Sequence, residues 1–269
     1  MSCDTDPLNT QPNSCWLYVP TADAKKIETG TYGYHVPATF LNKTLTEPIY
    51  RQLSTGSWHI CAINFDNSLV CLGENGNGQA TPPGGTFKQV SAGGNHSCAL
   101  RSDNTLACWG DDTWGQASPP NGTYTQVSAG GAHTCALKTD MNTDSLACWG
   151  QNNQGQSSPP PGNFKQVSAG REHNCAIQGD NSLSCWGANG FGEANPPSGT
   201  FNGVSAGREY TCARRSGNTL VCWGANQDGQ ASPPRGTCNQ VSTGGGHTCA
   251  LKTGNAVACW GQNAPVGTF

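Results

Sequence analysis

The segment Phe87-Lys-Gln-Val-Ser-Ala-Gly93 returns with small changes at residues 124–130, 164–170 and 201–207, and a cysteine pair and a tryptophan follow each copy. A fixed period constrains the fold before any single residue does, because each copy is one structural unit and copies must stack to bury their apolar faces. The glycine that ends each copy falls at Gly56, Gly93, Gly130, Gly170, Gly207 and Gly244, at spacings of 37, 37, 40, 37 and 37 residues. The long spacing comes from three residues inserted between Thr139 and Leu146, where a loop tip has grown while the frame survives. Upstream, the run from Lys25 to Gly30 matches Lys88 to Gly93 in charge, apolar position and terminal glycine. It predicts a degenerate first unit and a total of seven, although Gly30 lies only 26 residues before Gly56 and no cysteine hairpin intervenes.

Each full unit reads as a short apolar strand (Gln89 to Ala92), a glycine turn, a cysteine hairpin, a Trp-Gly loop and a Pro-Pro segment, which predicts four short strands per unit. Only 12% of residues are charged, while 36 are glycine and 17 proline, a composition of strands and turns. A unit of about 37 residues cannot cover both faces of its small sheet, and radial closure would protect the sheet edges. The expectation is an all-β, seven-bladed β-propeller forming a single domain. Residues 1–48 would supply a closure segment and the degenerate blade, and residues 49–269 six full repeats. Asn13 to Trp16 resembles the Ala-Cys-Trp strand of the repeats, so residues 12–20 are expected to complete a blade beside residues 255–262.

Twelve of the 15 cysteines form six framed pairs: Cys61/Cys71, Cys98/Cys108, Cys135/Cys148, Cys175/Cys185, Cys212/Cys222 and Cys249/Cys259. Folding the hairpin about Asp103 sets Cys98 opposite Cys108, at a separation a disulfide bridges, so one disulfide per full blade is expected. Zinc sites favour short Cys-x2-Cys knuckles or clustered histidines, and buried free thiols are the other competing reading. Disulfides point to an oxidising compartment, hence a secreted or extracellular protein, although the chain opens Met1-Ser-Cys-Asp with no apolar leader. Sequons at Asn42, Asn95 and Asn121 are compatible with a glycoprotein. Cys3, Cys15 and Cys238 lie outside the frame, and a bridge from the N-terminal segment to Cys238 is the expected pairing.

Histidines recur in frame at His59, His96, His133, His173 and His247, with Tyr210 in the sixth place. Equivalent positions spread around a ring do not converge on a metal, so their expected role is a hydrogen bond that fixes the blade turn. Trp109, Trp149, Trp186, Trp223 and Trp260 are expected to pack between blades. Trp114 and Phe191 occupy variable loop positions and are candidate binding anchors. The two residues before each framed histidine or tyrosine vary most: Ser57-Trp58, Gly94-Asn95, Gly131-Ala132, Arg171-Glu172, Arg208-Glu209 and Gly245-Gly246. Arg171, Glu172, Arg208, Glu209 and Tyr210 on adjacent blades therefore form the main candidate contact patch. No acid pair, serine triad or activated cysteine stands out, and Gly73 to Gly78 precedes no helix that could receive phosphate, so neither catalysis nor a cofactor or metal is expected.

The pattern Val-Ser-Ala-Gly-x-x-His-[Ser/Thr]-Cys-Ala-Leu, then Cys-Trp-Gly-x-x-x-x-Gly-Gln, resembles the regulator of chromosome condensation repeat over residues 49–269. The resemblance implies a seven-bladed propeller. Short-repeat bacterial members, beta-lactamase inhibitory protein II among them, are similar in repeat length and total size. Nucleotide exchange on a small GTPase is not carried over, since those nuclear members have longer repeats and few cysteines. Net charge −3 gives no basic footprint for nucleic acid, and no apolar run is long enough to span a membrane. Three functions stay open: a rigid protein-interaction or inhibitory module, a structural subunit of an extracellular assembly or filament, and a carbohydrate-binding propeller with a glycan partner.

Overall fold

The computed structural model describes residues 50–139 and 144–264, together with the backbone of Ile27–Glu28. It is all-β: six sheets, one per repeat, each built on three antiparallel strands, with Ile27–Glu28 added to the first as a fourth, parallel strand. Repeat one comprises Tyr50–Thr55, His59–Asn64 and Leu69–Gly73, and repeat two comprises Phe87–Ala92, His96–Arg101 and Leu106–Gly110. Repeats three to six follow the same order and begin at Tyr124, Phe164, Phe201 and Cys238.

The expected seven blades become six among the described residues, and these show no closed ring. Of the upstream unit only Ile27–Glu28 is described, pairing in parallel with the first strand of repeat one, Ile27 opposite Leu53 and Glu28 opposite Ser54. In sequence, that unit lacks the cysteine pair that frames the other six. The expected bridge to Cys238 is also corrected, because Cys238 is a buried free thiol. Residues 12–20, Cys3, Cys15 and Asn42 lie outside the described residues.

The predicted fourth strand is absent from each of the six repeats among the described residues. In repeats one to five its place is taken by consecutive prolines, such as Pro82-Pro83 and Pro119-Pro120, which have no N–H to give to a ladder. The hairpins form as the sequence predicts. Asp103 Oδ1 accepts from the backbone N–H and hydroxyl of Thr105, at 2.9 and 2.7 Å, and Asn104 takes the left-handed conformation at φ 69°. Asparagine tolerates that conformation better than other residues with a side chain, and Asn67, Asn181, Asn218 and Asn255 repeat it.

Folding about Asp103 sets Cys98 opposite Cys108, and the six predicted disulfides are all present. They join Cys61 to Cys71, Cys98 to Cys108, Cys135 to Cys148, Cys175 to Cys185, Cys212 to Cys222 and Cys249 to Cys259, with Cα–Cα separations of 4.0–4.1 Å. The two ends of a bridge are not equally enclosed, which the cysteine spacing does not reveal. Cys98, Cys135, Cys175 and Cys212 lie on middle strands and are inaccessible, whereas Cys108, Cys148, Cys185 and Cys222 lie on last strands and are only half-buried. The cause is topological: the last strand is an edge of each sheet, so in repeats two to five the disulfide staples a covered strand to an edge strand.

Alternation along each strand sends successive side chains to the sheets before and after it. From repeat two, Phe87, Val90, Ala99 and Ala107 pack against Cys61, Ile63 and Cys71 of repeat one. Cys98 and Leu100 pack against Tyr124, Val127 and Ala136 of repeat three. Phe87 and Gln89 would share a face in a regular strand. A bulge between them, present at the equivalent place in every repeat, turns Phe87 back toward repeat one while Gln89 faces repeat three.

Neighbouring first strands are too far apart for a direct ladder, and polar side chains bridge them. Gln89 donates from Nε2 to the Val127 carbonyl at 3.1 Å and accepts from the Val127 N–H at 3.0 Å, so one side chain replaces a peptide group. Ser91 Oγ accepts from the Ala129 N–H at 2.9 Å. Gln52, Gln126 and Gln166 make the same double contact, which explains the Gln-Val-Ser-Ala frame. The tryptophans pack between repeats as expected, and each caps a backbone group of the preceding repeat: Trp109 Nε1 donates to the Gln79 carbonyl at 2.8 Å and Trp149 to that of Gln116 at 3.0 Å.

Replacing Gln89 by Leu conserves volume but strands the buried Val127 N–H and carbonyl, at about 1–3 kcal/mol each. Urea unfolding of Gln89→Leu is expected to show a loss of about 2–4 kcal/mol, whereas Lys88→Ala, on the exposed side of the bulge, stays within about 0.5 kcal/mol of the parent.

Candidate interaction site

The first and middle strands of each repeat are joined by a four-residue turn that begins with the framed glycine and ends with the framed histidine or tyrosine. In repeat two the Gly93 N–H donates to the His96 carbonyl at 2.8 Å, and the other five turns close with the same bond. The turns also contact one another. The Gly94 N–H donates to the Gly130 carbonyl at 3.0 Å, and Arg171 and Arg208 donate likewise to Gly207 and Gly244, at 3.1 and 3.2 Å.

Glycine is required here by space rather than by backbone angle. A Cβ on Gly93 would lie 2.5 Å from the Gly130 carbonyl oxygen and 2.7 Å from His96 Cε1, and one on Gly170 would meet Gly207 and His173 as closely.

The imidazoles of four framed histidines do not hydrogen-bond their own turn in the way the sequence led one to expect, since the turn closes through the backbone carbonyl; their Nε2 bonds the next repeat instead. His59 reaches Ser97 Oγ at 2.7 Å, His96 reaches Thr134 Oγ1 at 2.8 Å, His133 reaches Asn174 Oδ1 at 2.8 Å and His173 reaches Thr211 Oγ1 at 2.8 Å. Thr134 gives its own proton to the Gln116 carbonyl, and Asn174 Oδ1 can only accept, so His96 and His133 carry their proton on Nε2. Nδ1 of His59, His96, His133 and His173 is buried without a hydrogen-bond partner. Burial accordingly lowers these imidazoles to about 4 for His59 and His133 and about 3 for His96 and His173, which leaves them neutral.

Between the fixed glycine and histidine lie two tip residues, of which Ser57 and Gly94 are buried and Trp58 and Asn95 exposed. The tips of repeats one to five surround a depression of about 500 Å³ lined by Ser57, Trp58, Gly94, Asn95, Gly131, Ala132, Gln151, Arg171, Glu172 and Arg208. Small residues of repeats two and three form one part of this wall, and charged residues of repeats four and five form another. Glu209 Oε1 lies 3.7 Å from Arg171 Nη1 and 3.6 Å from Arg208 Nε, so two half-exposed guanidinium groups share one carboxylate. Sequence adjacency in successive repeats thus becomes adjacency in space for Arg171, Glu172, Arg208 and Glu209.

Tyr210 is different. It is fully buried, donates to the His247 carbonyl at 2.5 Å and accepts from Thr248 at 2.9 Å, so it belongs to the join with repeat six and not to the contact surface. Burial raises its phenol above the ordinary range. Trp114 and Phe191 are about half exposed, on loops that start beside the tips, where Asp111 donates to the Asn95 carbonyl and Ala188 to that of Glu172, but they do not line the depression. Trp58 is 53% exposed on its wall, a site aromatic that the sequence shows only as one of the variable tip residues.

A profile for the regulator of chromosome condensation (RCC1) repeat matches residues 50–79, 87–116, 124–156, 164–193, 202–230 and 238–264. The chain belongs to this family. Among solved structures, the RCC1-type chain is similar to the CRINKLY WD40 ectodomain of the Arabidopsis thaliana receptor kinase ACR4, with 26% identity, a TM-score of 0.70 and 82% of each chain covered. It is similar to the entire ectodomain of the Physcomitrella patens receptor kinase CR4, with 26% identity and a TM-score of 0.67 over 80% of this chain and 62% of that one. Prp20p from Saccharomyces cerevisiae, described with its binding to Gsp1p and histones, shares the fold at 16% identity and a TM-score of 0.68, over 78% of this chain and 71% of that one. A comparison with curated proteins finds no match.

Because an unfolded histidine titrates near 6.5, unfolded chains bind more protons than the folded RCC1-type chain between about pH 6.5 and 4. The histidine contribution is complete above that window and is lost as pH falls through it. Urea midpoints are therefore expected to drop between pH 6.5 and 4.5, before the depressed carboxyls of Asp66, Asp103 and Asp180 begin to protonate.

Proposed function

We propose that this protein is a secreted, non-enzymatic interaction module whose tip-lined depression receives a projecting segment of a partner protein. The supporting observation is the contrast within one turn. The flanking glycine and histidine are buried and bonded to neighbouring repeats, while the tip residue beside the histidine (Trp58, Asn95, Ala132 or Glu172) lines the depression and changes chemistry from repeat to repeat, joined on repeats four and five by Arg171 and Arg208. A rigid frame that holds variable side chains loses little entropy on binding.

The partner fits if it sets an acidic group against Arg171 and Arg208, displacing Glu209, and an apolar group against Trp58. Partly exposed ion pairs contribute little to the free protein, so their rearrangement costs little. Trp58, with Arg171 and Arg208, has the composition of a binding anchor. Protein partners are described for Prp20p, and two similar structures are receptor ectodomains. Six disulfides and those ectodomain neighbours are consistent with an extracellular location.

Sedimentation velocity of the native protein separates this reading from a structural subunit: a monomer supports the module, whereas filaments formed without a partner overturn it. Against a partner recovered by crosslinking, Arg171→Ala with Arg208→Ala, and separately Trp58→Ala, are each expected to weaken binding at least about tenfold. Unchanged affinity in both dismisses the depression as the contact surface.

We also propose that residues 1–48 cover the outer face of repeat six and close the ring. His247, Cys249 and Leu251 on that face are only half-buried, whereas His96 and Cys98, their counterparts in repeat two, are inaccessible. Deleting residues 1–20 is expected to lower the melting temperature by at least about 4 °C, and an unchanged value rejects this closure.

A further inference from the structure

Five joins link the six repeats, and four are built alike. Each of those four has a glutamine clamp, a framed histidine bonded to the next repeat, and a buried aliphatic residue beside a buried ring. Between repeats four and five, for example, these are Gln166, His173, Ile177 and Phe201.

The join between repeats five and six departs at every one of these places. Gly203 stands where the clamp would be, so nothing projects from it to the Val241 peptide groups. Arg214 stands where the others have Ile63, Leu100, Leu137 or Ile177, and its guanidinium donates to Asn218 Oδ1 and to the Asn202 carbonyl. Cys238 replaces the buried ring that Phe87, Tyr124, Phe164 and Phe201 supply, yet it is only 2% exposed. Burial raises its thiol above the ordinary range, an effect that the charges of Lys252 and Arg214 offset only in part. Polar contacts remain, chiefly Tyr210 with Thr248 and Ser205 with Thr243. A large apolar side chain has been exchanged for a thiol and another for a charge, and a two-bond clamp has been removed.

We propose that the protein opens first between repeats five and six, and that this opening delivers the Cys238 thiol to disulfide-bearing small molecules. Once deprotonated to solvent, the Cys238 sulfur attacks one sulfur of the reagent. The reagent's S–S bond breaks, a mixed disulfide forms on Cys238, and the second sulfur leaves as a thiolate. Repeat six keeps its own Cys249–Cys259 bond throughout and moves as a unit.

The test is reaction of the full-length native protein with 5,5′-dithiobis(2-nitrobenzoic acid), followed through release of its coloured thiolate. Peptide mass mapping assigns the label to Cys238 and not to Cys3 or Cys15. The expected result is labelling of Cys238 in the absence of denaturant, with weak urea dependence, at least ~100-fold faster than global unfolding followed by tryptophan fluorescence. Restoring the repeat pattern with Gly203→Gln and Arg214→Leu is expected to slow the labelling at least ~10-fold. Labelling of Cys238 only at the rate and urea dependence of global unfolding overturns the proposal. So does an unchanged rate in a folded restored variant. If that variant does not fold, the comparison of rates in the unaltered protein decides.

Discussion

A three-stranded sheet with both faces apolar and an unpaired first strand cannot persist alone in water. The glutamine and serine that project from each first strand solve this by standing in for the missing neighbouring strand. Gln89 satisfies both backbone groups of Val127, and Ser91 satisfies the N–H of Ala129. Leaving those groups buried and unpaired would cost more than the bonds contribute in isolation, so the clamps operate as a requirement for stacking. The apolar clusters follow from them, since Phe87 and Val90 meet Cys61 and Ile63 only when the sheets are held at this spacing.

The turns obey the same logic at closer range. Carbonyls of successive glycines approach so tightly that a methyl group has no room, and the histidine ring fills the space beneath each turn. The imidazole is neutral, a one-proton donor at His96 and His133, and its second nitrogen is buried without a hydrogen-bond partner. Equilibrium folding therefore depends on the protonation of groups that have no part in binding.

Much of this was legible in the chain. Period, hairpin centre, disulfide pairing and inter-repeat tryptophans are local properties, carried by Asp103, Asn104 and the cysteine spacing. The Arg171, Glu172, Arg208 and Glu209 cluster was legible too, because a repeat converts equivalent positions into spatial neighbours. The rest depended on information that one repeat does not contain. The unequal burial of Cys135 and Cys148, or of Cys212 and Cys222, follows from which strand is the sheet edge and not from their spacing. The bulge beside Phe87 appears only when strand pairing is known, and the reach of His96 or Gln89 into the next repeat requires the distance between sheets. Tyr210 read as a surface residue because it replaces a histidine whose own burial the sequence does not state. The predicted fourth strand failed on proline chemistry: each Pro-Pro pair lacks the donors a ladder needs. Trp58 sits in the copy without a tryptophan after its second cysteine, where Leu72 stands instead, and only the shared depression sets it opposite the charged tips.

The separation between buried frame and outward tips has a consequence for how such a surface can change. Trp58, Asn95, Ala132 and Glu172, each beside a framed histidine, carry side chains to the depression together with Arg171 and Arg208, whereas a Cβ on Gly94 or Gly131 would meet the next turn's carbonyl oxygen at 2.2 or 2.5 Å. Substitutions at the tip position beside the histidine are thus largely decoupled from stability, whereas those at Gly94 and Gly131 are not. Recognition can drift one tip at a time, or shift wholesale by exchanging a repeat. A lineage carrying this fold can acquire new partners without passing through unfolded ancestors.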